Sequence, residues 1–487
     1  MIHADSAGVY KMDAATQSSV QNSSCSNLHD LSPKQYVYSI TALVVLGAAF
    51  RFLGLGTRAL WTDEAFSWAM TRLTWREFYS AISRQAADMT VYYTVLKIWT
   101  VFGDSEFVLR SLSAIVSVVT IPLVAEVGRR LYSRKAGTLA ATGFAVHVFS
   151  IRYAQEARSY ALVMLLACVS WLLLSRIIVD PSNCNLFWFG AVSVLTIYSH
   201  PISGLNLAAQ LLTVTLYSRA TAIWRPVSRT VAGIALCLVP AILYSIHHRH
   251  DLSWIQPTKW PAVREFLDEV AGGIGSRVYL AIVTILFTTL IVHFLRLWRT
   301  NRKYELWASS VPVFGFALPV AALITISILQ PTFVGRYVGF VLLPLLWGVG
   351  ELFSRTKGLF FWISASLLLL VLIKPLPDYY RNFAFQKFRF QDFRGAVKYI
   401  GQQQYSGDCI IAWPAYARPG LDYYGSQISR FPAYIYPNAG THFDPGDVLI
   451  QPDARTLAKG LAQQNHIWLV ISKNNLQYST SVLASLQ

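Results

Sequence analysis

Apolar residues in this chain run in long uninterrupted blocks separated by short polar joints. The first block, 36–55, holds about 20 residues; at about 1.5 Å of helical rise each they cover roughly 30 Å, the depth of a bilayer's hydrocarbon core. Similar blocks fall at 107–128, 136–151, 159–179, 186–199, 202–218, 230–246, 278–298, 306–329, 334–353 and 359–376. The pattern predicts a polytopic α-helical membrane protein with about 11 transmembrane helices. In the long first joint, 75–86 and 89–102 are amphipathic or aromatic but too short to span, and predict interfacial helices.

The pattern changes after Pro375-Leu376-Pro377. Apolar positions 393, 397 and 400 have helical spacing, 408–413 and 466–472 read as buried strands, and 453–464 as a helix before the second strand. Helices alternating with strands predict a small C-terminal α/β domain over 377–487, after a transmembrane domain over 36–376. Residues 1–35 are rich in Ser, Asn, Gln and Ala, read as a flexible cytoplasmic tail, and lack the features of a cleaved signal peptide.

Charge orients the molecule. There are 41 Lys and Arg against 25 Asp and Glu, a net charge of +16. No basic run is interleaved with exposed aromatics, so no nucleic-acid partner is expected. With the N-terminus inside, the inward joints hold Arg129, Arg130, Arg134 and Lys135; Arg219, Arg225 and Arg229; Arg296, Arg299, Arg302 and Lys303; Arg355 and Lys357. This positive-inside distribution predicts a multi-pass protein of the inner (plasma) membrane. It puts the joints after the first and third blocks, and everything after Lys374, on the extracytoplasmic side.

The five cysteines, Cys25, Cys168, Cys184, Cys237 and Cys409, show no paired spacing, and no glycine-rich phosphate loop or internal repeat is present. His247, His248 and His250 have only Asp251 beside them, so no metal site is assigned.

Three outer joints carry the chemistry. Asp63-Glu64 lies between Trp61 and Trp68, where carboxylates are costly unless they do something at the lipid surface. The plain alternative is a helix N-terminus capped by Thr62 or Asp63, with Glu64 favouring the dipole. Arg152-Tyr153-Ala154-Gln155-Glu156-Ala157-Arg158-Ser159-Tyr160 is equally well read as a site or as an ion pair of Glu156 with an arginine. Gly335-Arg336-Tyr337 offers a fork of donors for a phosphate, or simple snorkelling. His200 before Pro201 is a turn residue or a cavity residue. Asp88 is a helix cap or a substrate contact.

The run Arg58-Ala59-Leu60-Trp61-Thr62-Asp63-Glu64-Ala65-Phe66-Ser67 resembles the first-loop acidic motif of C-type membrane glycosyltransferases. It is nearest the branch of protein O-mannosyltransferases and the aminoarabinose transferase of lipid A. Tyr92-Tyr93, the stretch Phe102–Ser111 and the stretch Tyr153–Tyr160 resemble the same family, and Gly335-Arg336-Tyr337 is a looser echo. Where many relatives have His-Pro-Pro or Asn-Pro-Pro before the paired tyrosines, this chain reads Asp88-Met89-Thr90-Val91-Tyr92-Tyr93.

The resemblance implies inverting transfer of a sugar from a polyprenyl phosphate to a cell-envelope acceptor, outside the cytoplasm. It implies Asp63 as the base, with Glu64 and Glu156 lining the same cavity as further catalytic candidates and Arg336 on the phosphate. Arg58, Asp88, Tyr93, Tyr153, Arg158, His200 and Tyr337 complete the candidate substrate-binding set. No organic cofactor is required, although the carboxylates could hold a divalent cation. The rival reading is a lipid or solute transporter, which matched, repeated halves would favour. A third is an inactive scaffold for envelope assembly.

Overall fold

The structure is a computed structural model and describes residues 30–84, 88–217, 223–247, 258–273, 277–300, 302–382, 391–413, 415–436 and 466–471. Helix α1 (Pro33–Phe52) starts at a capping box: Gln35 N donates to Ser32 Oγ (3.2 Å) and Ser32 N to the Gln35 side chain (2.9 Å). Three short helices, α2 (Thr62–Arg72), α3 (Trp75–Arg84) and α4 (Thr90–Trp99), fill the first long joint. Then come α5 (Glu106–Leu131), α6 (Arg134–Val146), α7 (Val148–Ala154), α8 (Tyr160–Val179), α9 (Asn183–Ser199), α10 (Gly204–Tyr217) and α11 (Trp224–His247). They are followed by α12 (Trp260–Val270), α13 (Arg277–Trp298), α14 (Lys303–Leu329), α15 (Leu342–Ser354) and α16 (Gly358–Ile373).

Every apolar block is helical, and eight helices among the described residues are long and apolar enough to cross a membrane. Some blocks are less regular than expected. Block 136–151 breaks at His147, whose extended backbone ends α6 and starts α7. Block 334–353 begins with a 3₁₀ turn, Gly335–Val341.

The bundle is tight where small residues meet. A Cβ on Gly128 would lie 2.7 Å from Gly137 Cα, and one on Gly350 would lie 2.5 Å from Ala136 O, so α5, α6 and α15 touch almost backbone to backbone. Arg51, fully buried in α1, ties that helix to its neighbours. It donates to Ser117 Oγ (2.7 Å) on α5 and to Phe144 O and Ala145 O (3.0 Å each) at the end of α6.

After the bundle, α17 (Leu376–Asn382) packs Leu376 and Tyr379 on Val148 and Ile151 of α7. The C-terminal part holds α18 (Phe393–Gln403), β1 (Cys409–Trp413), α19 (Arg418–Gly425), β2 (Ala433–Tyr436) and β3 (Ile467–Ile471). Its sheet is parallel in the order β2-β1-β3, which makes this part α/β as expected. Helices α12 and α19 and strand β2 were not anticipated from the pattern. The expected helix 453–464, the tail up to residue 29, and His248 and His250 lie outside the described residues.

Candidate active site

Asp63 and Glu64 are neighbours on the first turn of α2 but sit in opposite settings. The helix is capped by Trp61, not by Thr62 or Asp63, and Glu64 reaches back to the Trp61 N–H (3.4 Å). Glu64 is 1% exposed. Arg110 grips it with Nε (2.8 Å) and Nη2 (2.7 Å), and Ala157 N donates to it at 2.9 Å. The remaining donors of Arg110 go to the carbonyls of Leu55, Arg58 and Ala59 at 2.9–3.0 Å. The expectation that Glu64 lines a cavity with Asp63 is corrected: its oxygens are committed to a closed ion pair.

Asp63 is more open, its side chain 25% exposed, and its contacts are loose. Its Oδ2 lies 3.3 Å from Arg336 Nη2 and 3.9 Å from Arg158 Nη2. Arg158 also donates to Tyr93 OH (2.9 Å), which joins α4 to the joint before α8. Burial alone would lower the Arg158 pKa, but Tyr93, Tyr160 and the carboxylates of Asp63 and Asp88 hold it well above the usual arginine value. Burial pushes the Tyr93 hydroxyl up to about 12 against the pull of Arg158.

Aromatic rings continue the site. The Arg336 guanidinium stands 5.6 Å from the centroids of both Trp61 and Tyr337. Tyr337 stacks on Tyr160 (6.4 Å, 29°) and meets the His200 ring at 4.4 Å. Burial pushes His200 down to about 4, with Asp88 opposing and Arg158 and Arg336 reinforcing the shift, so the ring is neutral at neutral pH. Asp88 precedes Met89, whose left-handed backbone (φ 55°) is costly for a side chain of that size.

Among the described residues, five buried polar atoms in this region have no hydrogen-bond partner: Asp88 Oδ1, Arg158 Nε, Tyr160 OH, His200 Nδ1 and Arg336 Nε. Folded proteins seldom leave so many together, because each costs about 1–3 kcal/mol. Donors, acceptors and ring faces of this kind suit a ligand carrying an anion and hydroxyl groups.

The other expected residues take supporting places. Glu156 sits 3.6 Å from Arg152, as the plain ion-pair reading anticipates, and Arg152 reaches Glu269 on α12 at 2.8 Å. Arg58 donates to Gln155 Oε1 (2.7 Å) and Tyr379 OH (3.2 Å), which pins the first joint to α17. Tyr153 is fully buried between Phe149 and Tyr160. The three acids are thus held by different arginines: Asp63 by Arg158 and Arg336, Glu64 by Arg110, Glu156 by Arg152. Among the described residues, no three His, Cys, Asp or Glu side chains are grouped to hold a metal ion.

Sequence reasoning missed Arg110, Tyr160 and Gln155 as site-builders. Gln155 Nε2 donates to the carbonyls of Phe50, Arg51 and Leu53 (2.8–3.2 Å). Arg110 and Tyr160 stood inside recognised motifs, but their partners lie in other segments. The C-terminal part packs against the segment that carries the site. Leu60 N donates to Tyr424 OH (2.8 Å), Tyr424 OH to Glu106 (2.9 Å), and Arg394 pairs with Glu106 (2.6 Å). Gln391 accepts from the backbone and side chain of Thr62, next to Asp63.

Residues 89–244 match the family model of dolichyl-phosphate-mannose-protein mannosyltransferases. In structure the chain is similar to ArnT from Cupriavidus metallidurans bound to undecaprenyl phosphate, with a TM-score of 0.57, 13% identity, and coverage of 93% of this chain and 95% of that one. The apo form of ArnT gives 0.55, 15% identity, 91% and 94%. The Archaeoglobus fulgidus oligosaccharyltransferase tethered with an acceptor peptide gives 0.50, 11% identity and 80% of this chain. The chain spans 63% of the length of that oligosaccharyltransferase. No curated protein matches the chain by sequence. The resemblance read from the outer joints is borne out: the chain has the fold of C-type, polyprenyl-phosphate-using membrane glycosyltransferases, with the mannosyltransferase match covering the α4–α11 region.

Proposed function

We propose that the chain is a membrane glycosyltransferase that moves a sugar from a polyprenyl-phosphate carrier to a hydroxyl of a cell-envelope acceptor. The observation that carries this reading is the Asp63 carboxylate set loosely between the guanidiniums of buried Arg158 and partly buried Arg336, at 3.9 and 3.3 Å, beside unpartnered polar atoms. An anionic phosphate can take the place of Asp63 on Arg336 and Arg158, which frees the carboxylate for a proton. That the ArnT structure of the same fold holds undecaprenyl phosphate supports the carrier class.

In this reading Asp63 removes the proton of the acceptor hydroxyl as its oxygen attacks the anomeric carbon. The bond from that carbon to the phosphate oxygen breaks, and the electron pair leaves with the polyprenyl phosphate, so the configuration inverts. Arg336 and Arg158 neutralise charge growing on the phosphate, and Tyr93 positions Arg158. Asp88 and the Tyr160, His200 and Tyr337 surface bind the sugar. Glu64 and Glu156 position these groups through Arg110 and Arg152. Two guanidiniums supply the countercharge, so no step is assigned to a divalent cation. The site faces the extracytoplasmic side of the plasma membrane, opposite the joints that carry Arg129, Arg130, Arg134 and Lys135, and Arg355 and Lys357.

The test uses purified protein in proteoliposomes, an undecaprenyl-phosphate-linked labelled sugar and a cell-envelope extract as acceptor. Label moves to the acceptor with the wild type. With Asp63→Asn it does not, while undecaprenyl phosphate still binds in native mass spectrometry. Normal transfer by Asp63→Asn, or no binding of the carrier by the wild type, overturns the proposal.

A further inference from the structure

A second polar space lies at the other end of the bundle. Arg110, on Glu64, and Arg130 are about 20 residues apart on α5, which is roughly 30 Å. Around Arg130, a cavity of about 360 Å³ is enclosed by the last turn of α5, the start of α6 and the ends of α13, α14 and α15. Five basic side chains line it, Arg130, Lys135, Arg302, Arg355 and Lys357, against the carboxylates of Asp30, Glu305 and Glu351.

The carboxylates are already engaged. Glu351 is taken by Arg355 at 2.6 Å and by Ser354 Oγ at 3.0 Å, and Glu305 by Arg302 at 3.2 Å. Asp30 accepts from the backbone N–H groups of Arg134 (3.2 Å) and Lys135 (2.8 Å). Arg130 goes to Glu126 (2.7 Å), so Lys135 and Lys357 face only the carboxylate of Asp30, and one positive charge is left over. Lys135 Nζ is fixed by the carbonyls of Ser354 and Thr356 (3.2 Å each) and stands 3.8 Å from the centroid of Phe361. The cavity is preformed: Tyr132 OH donates to Ala308 O and Tyr304 OH to Arg130 O, each at 2.7 Å.

One wall is apolar, with Leu131, Leu297 and Ala308, and the flanking helices α13 and α16 carry exposed Leu295, Leu359, Phe360 and Trp362. A basic hollow with apolar lining, flanked by helices that expose large apolar side chains, fits an amphiphile with a phosphate head better than a soluble anion. The geometry points to a binding site for the headgroup of an anionic phospholipid, at the bundle end opposite Asp63 and independent of the transfer chemistry.

The test is native mass spectrometry of the full-length protein in detergent, titrated with phosphatidylglycerol or phosphatidylcholine of matched chains. Phosphatidylglycerol is expected to bind at least about tenfold tighter. Lys357→Glu should remove roughly that preference with an unchanged melting temperature, and Arg302→Gln should weaken it. Arg225→Glu, an exposed cation outside the cavity, should leave it intact. Equal binding of the two lipids overturns the proposal, as does an Arg225→Glu loss equal to that of Lys357→Glu. Displacement of the lipid by micromolar inorganic phosphate overturns the lipid assignment.

Discussion

Two carboxylates one residue apart define two kinds of region in this protein. Glu64 is closed: Arg110 holds both its oxygens, backbone donors add to them, and water is excluded. Asp63 is open, with longer contacts to cations that also have unpartnered atoms nearby. A buried pair with short, complete contacts holds a shape, and its cost falls due only when one partner is removed. A carboxylate with long, incomplete contacts keeps its partners available to something else. Adjacent residues on one helical turn thus separate a closed ion pair from an open carboxylate, the one proposed to carry the chemistry.

The sharpest way to break this comparison is to neutralise each acid in turn. Asp63→Asn should lower transfer about 100- to 10,000-fold in the proteoliposome assay, with little change in melting temperature. Arg110→Ala should do the reverse kind of damage: about 3–5 kcal/mol of stability lost, read as poor recovery and a much lower melting temperature in detergent. If Arg110→Ala folds normally and Asp63→Asn does not, the assignment of the two acids is inverted.

Smaller effects sharpen it. Arg336→Ala should weaken undecaprenyl phosphate binding roughly tenfold, and Arg336→Lys should restore only part, because an ammonium lacks the guanidinium fork. Tyr93→Phe removes the hydroxyl that meets Arg158, and should lower kcat/KM for the carrier about fivefold, with part of the loss in kcat. The mildest effect concerns His200. Its pKa falls from 6.5 to about 4 on folding, so between those values the native state binds fewer protons than the unfolded one. Its contribution to stability is therefore full above pH 6.5 and is lost as pH drops toward 4. His200→Gln should flatten that part of the stability profile, measured as melting temperature against pH.

The bundle was legible because a bilayer demands about 20 apolar residues per crossing, a requirement that local composition displays. The break at His147 was not, since its imidazole settles against Val270 O (3.0 Å), on a helix that polar composition concealed. Asp63 was legible as a candidate through its motif, but its division from Glu64 was not. That depends on Arg110, 46 positions away, and on Arg158 and Arg336, 95 and 273 positions away. Composition marked the start of the C-terminal part at the Pro375 to Pro377 run. It gave no sign that α17 packs against α7 and seals the bundle.

The bond from Leu60 N to Tyr424 OH spans 364 positions. Leu60 therefore leaves the ribosome 364 residues before Tyr424. The nascent chain thus inserts nearly all its crossings while the segment leading to Asp63 still waits for its last support. Competence should arrive late and all at once, with incomplete chains embedded yet idle.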